Sequence, residues 1–67
     1  MPVDRMARTV RTLRQARGLT QAQLADKSGV TREYIARLEA GRYDPSLSVI
    51  EKVAKALKVK VGKLLDE

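Results

Sequence analysis

The sequence predicts an all-α fold of five short helices, and three observations point to it. Apolar residues recur at helical spacing through residues 5–17, 31–42 and 47–57. Thr20 and Thr31 each stand between a preceding apolar residue and a second one further on, the arrangement of a helix N-cap. Gly18, Gly29 and Gly41 each follow a helical stretch, where a stop signal belongs.

Residues 1–4 read as a loose end, with Pro2 and Asp4 near a helix start. The first helix is expected from about Arg5 to Arg17. Met6, Val10 and Leu13 fall within about 60° of one another and form its buried stripe. Arg5, Arg8, Thr12 and Gln15 take the opposite side, while Arg14 lies about 80° from Met6, at the flank of the stripe. Gly18 closes this helix.

Residues 20–41, TQAQLADKSGVTREYIARLEAG, read as two short helices joined by a tight turn at Gly29. Thr20 caps the first of them and Gln23 returns a bond to the cap, completing a capping box. Leu19 with Leu24, and Val30 with Ile35, form hydrophobic staples around Thr20 and Thr31 that set the angle at which the chain enters each helix. In the second helix, over about 32–40, Thr31, Leu38, Glu39 and Arg42 share the side of Ile35. Glu33, Ala36, Arg37 and Ala40 lie opposite, with Arg32 and Tyr34 on the flanks. Glu39, about 40° from Ile35, is turned inward. A lone half-buried charge is costly, so Arg14 and Glu39 are expected to form an ion pair tying the first helix to the third.

RYDPS, after Gly41, is too rich in turn formers to be helix. The fourth helix starts either from Ser46 as cap or from Ser48 with Glu51 as a capping box, and runs to about Leu57. It is expected to bury Leu47, Ile50, Val53, Ala54 and Leu57. Lys52 and Lys55 read as solvated, with a distant electrostatic role as the alternative. A short fifth helix follows, weakly started at Lys60 and weakened by Gly62. Val59, Val61, Leu64 and Leu65 exceed what so short an end can bury alone, and the surplus would form a patch of the kind that marks a partner surface.

Composition narrows the function. Sixty-seven residues allow one domain, 1–67, that buries about 60% of the surface of its unfolded chain. The chain has no Cys, His, Trp or Phe, so neither a disulfide framework nor a metal site of the usual nitrogen or sulfur kind is expected. The same absences exclude Ser-His-Asp and Cys-His nucleophiles, and the carboxylates are scattered. No enzyme, cofactor or small-molecule ligand is therefore expected. A formal charge of +6 favours a polyanionic partner. All eight Arg fall at or before Arg42, and five of the six Lys fall after Glu51. The forked cations that pair with guanine and phosphate thus lie in the half that carries the paired helices. No apolar run approaches the roughly 20 residues that span a bilayer, and the N-terminus lacks a signal-type apolar region. A soluble, cytoplasmic protein is expected.

The outer face of the third helix is polar, with small residues between large ones. It is either simply solvated or able to enter a major groove about 12 Å wide, where Arg, Glu and Tyr reach bases or phosphates. Residues 20–41 resemble the helix-turn-helix of the lambda repressor and Cro (XRE-type) family. The matching residues are Gln21, Ala25, Gly29, Ile35, Leu38, Glu39 and Gly41, flanked by LRQARGLTQ and EAGRYDPSL. The resemblance extends from about Val10 to Leu65. It implies a compact five-helix DNA-binding domain and a bacterial or phage-type transcriptional regulator bound to double-stranded DNA. In that reading Arg32, Glu33, Tyr34 and Arg37 come nearest the bases. Arg32 and Arg37 would be guanine readers or phosphate clamps, and Glu33 would accept from a cytosine amino group or orient an Arg. Thr31 and Gln21 would meet the backbone, Gln21 from a helix N-terminus that favours phosphate. The resemblance assigns a phosphate to Arg42 as well, with Tyr43 beside it, and it also implies the Arg14–Glu39 link.

The surplus of Val59, Val61, Leu64 and Leu65, with the loop after the fourth helix, is expected to make a two-fold homodimer interface, which would set two recognition helices about 34–36 Å apart over inverted half-sites. Controller proteins, repressors and antitoxins all fit this description. The competing reading is a protein-interaction module, coactivator-like or antitoxin-type, that keeps the fold and uses the third helix and the basic face to dock an acidic protein.

Overall fold

The computed structural model describes residues 2–42 and 44–65. Five helices follow one another: α1 (Pro2–Ala16), α2 (Gln21–Ser28), α3 (Arg32–Glu39), α4 (Leu47–Ala56) and α5 (Val61–Leu64). Helix α1 starts earlier than the expected Arg5, so residues 2–4 are helical rather than a loose end. A proline is well suited to a first helical position, where its missing N–H would have had no partner. Asp4 in the first turn meets the positive end of the helix dipole.

The caps read from sequence form. Thr20 Oγ1 accepts from the Gln23 N–H at 3.0 Å, and Gln23 Oε1 accepts from the Thr20 N–H at 2.8 Å. Thr31 Oγ1 accepts from the Tyr34 N–H at 3.0 Å. Of the two possible caps for α4, Ser46 takes the role, with its hydroxyl accepting from the Val49 N–H at 3.3 Å. Lys60, at the start of α5, makes no capping bond, and the helix is correspondingly only four residues long.

Helices α1 to α4 end in the same way, with two N–H groups folding back onto carbonyls of the last turn. Around α3 the Gly41 N–H donates to Leu38 O and the Arg42 N–H to Arg37 O, each at 3.1 Å. The residue that makes this reversal must turn left-handed, and Gly29 (φ 78°) and Gly41 (φ 69°) do so. After α4 the same geometry is imposed on a lysine: Lys58 sits at φ 59° while Val59 N–H reaches Ala54 O at 3.0 Å.

One core joins the helices. Val10, Leu24, Ile35, Val53 and Leu57 have no exposed surface, and Met6, Ala25, Leu38, Ile50, Ala54 and Leu64 complete it. Helix α2 packs on both α3 and α4, α1 braces α3, and α5 leans on α4 and α1. One expectation is corrected. Leu47 is 59% exposed, not buried. It lies in the first turn, about 60° around from Ile50, and Pro45 is the buried residue at that end. Ala7, not anticipated, joins Met6 and Val10 inside.

Candidate nucleic-acid interface

The orientation of α3 rests on a buried ionic knot. Arg14 Nε donates to Glu39 Oε2 at 2.7 Å and Arg14 Nη2 to Glu39 Oε1 at 3.1 Å, the two-pronged geometry of a guanidinium on a carboxylate. Arg14 Nη1 donates to the Leu19 carbonyl at 2.7 Å. Gln21 Nε2 donates to Glu39 Oε1 at 3.2 Å. Glu39 is only 5% exposed, and no buried side-chain polar atom among the described residues lacks a partner. Helix α1, the segment entering α2, the first residue of α2 and the last of α3 are thus pinned at one point. A polar contact so well satisfied holds a single arrangement of the two short helices.

Glu39 faces inward, so the opposite side of α3, with Glu33 and Arg37, faces out. Arg32 is exposed on the flank, at the first residue of the helix, and none of the three has an ion-pair partner among the described residues. Tyr34 is half-buried and packs against the core, so only part of it faces outward with them. Thr31, Glu33, Tyr34 and Arg37 line a shallow hollow of about 200 Å³ on this face. Thr31 is exposed, with its hydroxyl engaged in capping. Arg42 is exposed immediately beyond the reversal that ends α3. Tyr43 lies outside the described residues.

Gln21 opens α2, so the backbone N–H groups to which the sequence reading assigns a phosphate stand at the helix N-terminus. Its side chain is half-buried and donates to Glu39, a contact that was not expected. Sequence reasoning placed Arg14 and Glu39 together but missed this third member. The available signal was valence, since a buried carboxylate has more lone pairs than one guanidinium fills.

The four residues expected at a dimer interface separate. Leu64 is 2% exposed and belongs to the core, because the single turn of α5 folds its last apolar residue back onto α4 and α1. Val59 and Val61 are half-buried against the core, and Leu65 is 43% exposed. Among the described residues no group of carboxylates could hold a metal ion, and no helix is long and apolar enough to cross a membrane.

Comparison with known proteins places these features in a family. The model of the HTH_3 family, helix-turn-helix, matches residues 10–64. The chain is 45% identical over 58 residues to the immunity repressor protein of Bacillus phage phi105, covering 87% of this chain and 40% of that protein. It therefore spans well under half the length of that relative. It is 48% identical over 52 residues to an uncharacterized HTH-type transcriptional regulator of Methanothermobacter thermautotrophicus, covering 78% of this chain and 75% of that one. The crystal structure of the restriction-modification controller protein C.AhdI from Aeromonas hydrophila superposes with a TM-score of 0.90 at 37% identity, over 92% of this chain and 94% of that one. With caps, turn and inward Glu39 all in place, the chain belongs to the HTH_3 helix-turn-helix family, whose members are DNA-binding transcriptional regulators and not enzymes.

Proposed function

We propose that the 67 residues act as one helix-turn-helix unit that reads a specific duplex sequence, with α3 lying in the major groove. The observation that carries this reading is the outward, unpaired set of Arg32, Glu33 and Arg37 on a helix whose inner side is locked by Glu39. An exposed Arg held on a rigid helix can donate two bonds to one guanine, while Glu33 accepts from cytosine or steadies a neighbouring Arg. Tyr34 contributes the exposed part of its ring at the edge of the same hollow. Thr31, Arg42, Tyr43 and the N–H groups at Gln21 take the sugar-phosphate strands on either side.

The working species is a homodimer on an inverted repeat. Leu65 and the exposed parts of Val59 and Val61 supply its apolar contact, with Leu64 supporting them from inside the core. Two-fold symmetry then repeats α3 about 34–36 Å away, one helical turn of DNA.

The test begins with selection of a duplex from a random library by the purified protein. Fluorescence anisotropy then compares that duplex with a scrambled one. Arg37→Ala should weaken the selected duplex by about 1 to 3 kcal/mol and the scrambled one far less. Equal loss on both would make Arg37 a backbone contact. Binding that shows no preference among duplexes would refute sequence reading altogether.

A further inference from the structure

A second basic feature of the molecule owes nothing to α3. Lys27 at the end of α2, Lys52 and Lys55 on α4, and Lys58 just beyond it line an open hollow of about 510 Å³ together with Ser28, Gly29 and half-buried Ala56. An adjoining hollow of about 310 Å³ shares Lys27, Ala56 and Lys58 and adds Arg17 and Leu19. All five cations are exposed, none is ion-paired among the described residues, and no acidic side chain lines either hollow.

Two ordinary explanations fall short. Cations in the last turn of a helix are favoured by its dipole, which accounts for Lys27 and Lys55 separately. It does not account for Lys52, a turn earlier, or for the gathering of like charges around one concavity. Nor does duplex binding on α3 explain the cluster, because Arg32, Arg37 and Arg42 line neither hollow.

The lining also selects among anions. The Ser28 hydroxyl is directed inward, donating to the Leu24 carbonyl at 2.7 Å, so the hollow offers no side-chain donor except ammonium groups on flexible stems. A small-molecule site depends on a few fixed polar groups, and these are missing. A duplex presents phosphates but no apolar side chain to set against the half-buried Ala56 and Leu19 that line the two hollows. An acidic polypeptide offers both chemistries. We propose that this lysine-rimmed hollow between α2 and α4 docks an acidic segment of a protein partner, with carboxylates on Lys27, Lys52, Lys55 and Lys58 and an apolar side chain against Ala56 and Leu19. The surface is separate from α3, so the proposal stands or falls independently of duplex reading.

The test is an NMR titration of the isotope-labelled protein at about 150 mM salt, where exposed charges more than ~8 Å apart are largely screened. The probe is a synthetic peptide in which Asp and Glu flank single leucines. A peptide with Asn and Gln in place of the acids serves as control, and the selected duplex forms a third arm. Saturable shifts at the amides of Lys27, Gly29, Lys52, Lys55 and Lys58, with residues 32–37 unmoved, are expected for the acidic peptide alone. The triple variant Lys27→Gln, Lys52→Gln, Lys55→Gln should weaken the peptide about tenfold and leave the duplex within about twofold. Peptide shifts centred on residues 32–42, equal response to the neutral peptide, or no saturation would each overturn the proposal. So would duplex shifts at the lysines as strong as those on α3, which would make the hollow a nucleic-acid surface.

Discussion

Glu39 shows how one residue converts packing into presentation. An uncompensated carboxylate at 5% exposure would be heavily penalised, yet here Arg14 and Gln21 fill its lone pairs. Removing the guanidinium leaves that carboxylate with a single amide donor. Arg14→Ala is therefore expected to destabilise the fold by about 3 kcal/mol, the lower end for a broken buried pair because Gln21 remains. Against a total stability of roughly 5–15 kcal/mol this is a large fraction, and urea unfolding followed by circular dichroism will measure it. Arg14→Lys should recover only part of the loss, since an ammonium cannot make the paired bonds or also hold the Leu19 carbonyl. A lysine variant as stable as the parent would show that charge alone, without the fork, suffices.

At the level of the helix, the terminations are more informative than the interiors. Three of the four reversals after α1 to α4 use glycine, and the fourth uses Lys58 at φ 59°. A side chain with a Cβ is strained in that conformation, and glycine is not. Lys58→Gly should stabilise the protein by about 1 kcal/mol, raising Tm by roughly 4–8 °C for a domain of this size. A fall in Tm on thermal unfolding would mean that the lysine stem contributes more through its contacts beside Ala56 than its backbone costs. Because Lys58 is left intact in the triple lysine variant, the two experiments do not confound each other.

For the whole molecule the decisive quantities are charge and exposed apolar surface. Charge of +6 on a body about 26 × 22 × 21 Å across guarantees attraction to polyanions, and the slope of log affinity against log salt, near −0.9 for each phosphate neutralised, counts the contacts made. Arg42→Ala should reduce that slope by about one and weaken all duplexes alike, the signature of a phosphate contact. Dimerisation is tested at Leu65, the exposed residue of the C-terminal cluster. Leu65→Glu should leave helicity and Tm near the parent values but shift sedimentation to the monomer and weaken the inverted-repeat duplex. A parent protein that sediments only as monomer at micromolar concentration, on or off DNA, would exclude the dimer.

Much of this molecule was legible in one dimension because the relevant forces are local. Capping at Thr20 and Thr31, the reversal at Gly29 and the stripe of Met6 and Val10 depend on residues a turn or two apart. Even the Arg14–Glu39 pair could be read, since two inward charges on separate helices have few other ways to be satisfied. The choice of Ser46 over Ser48 as the cap of α4 was left open because both offer the same local bond. The rest depended on contacts between distant segments: Leu47 is exposed while Pro45 is buried, and Gln21 turns to Glu39. Leu64 goes into the core because α5 folds back onto α4 and α1. The lysine hollow belongs to the same class: Lys27 and Lys52 are 25 positions apart in the chain, and only the packing of α2 on α4 brings their charges to one rim. Local periodicity encodes which face of a helix is buried, whereas the neighbour it is buried against, and the surface their meeting creates, exist only once the helices have docked.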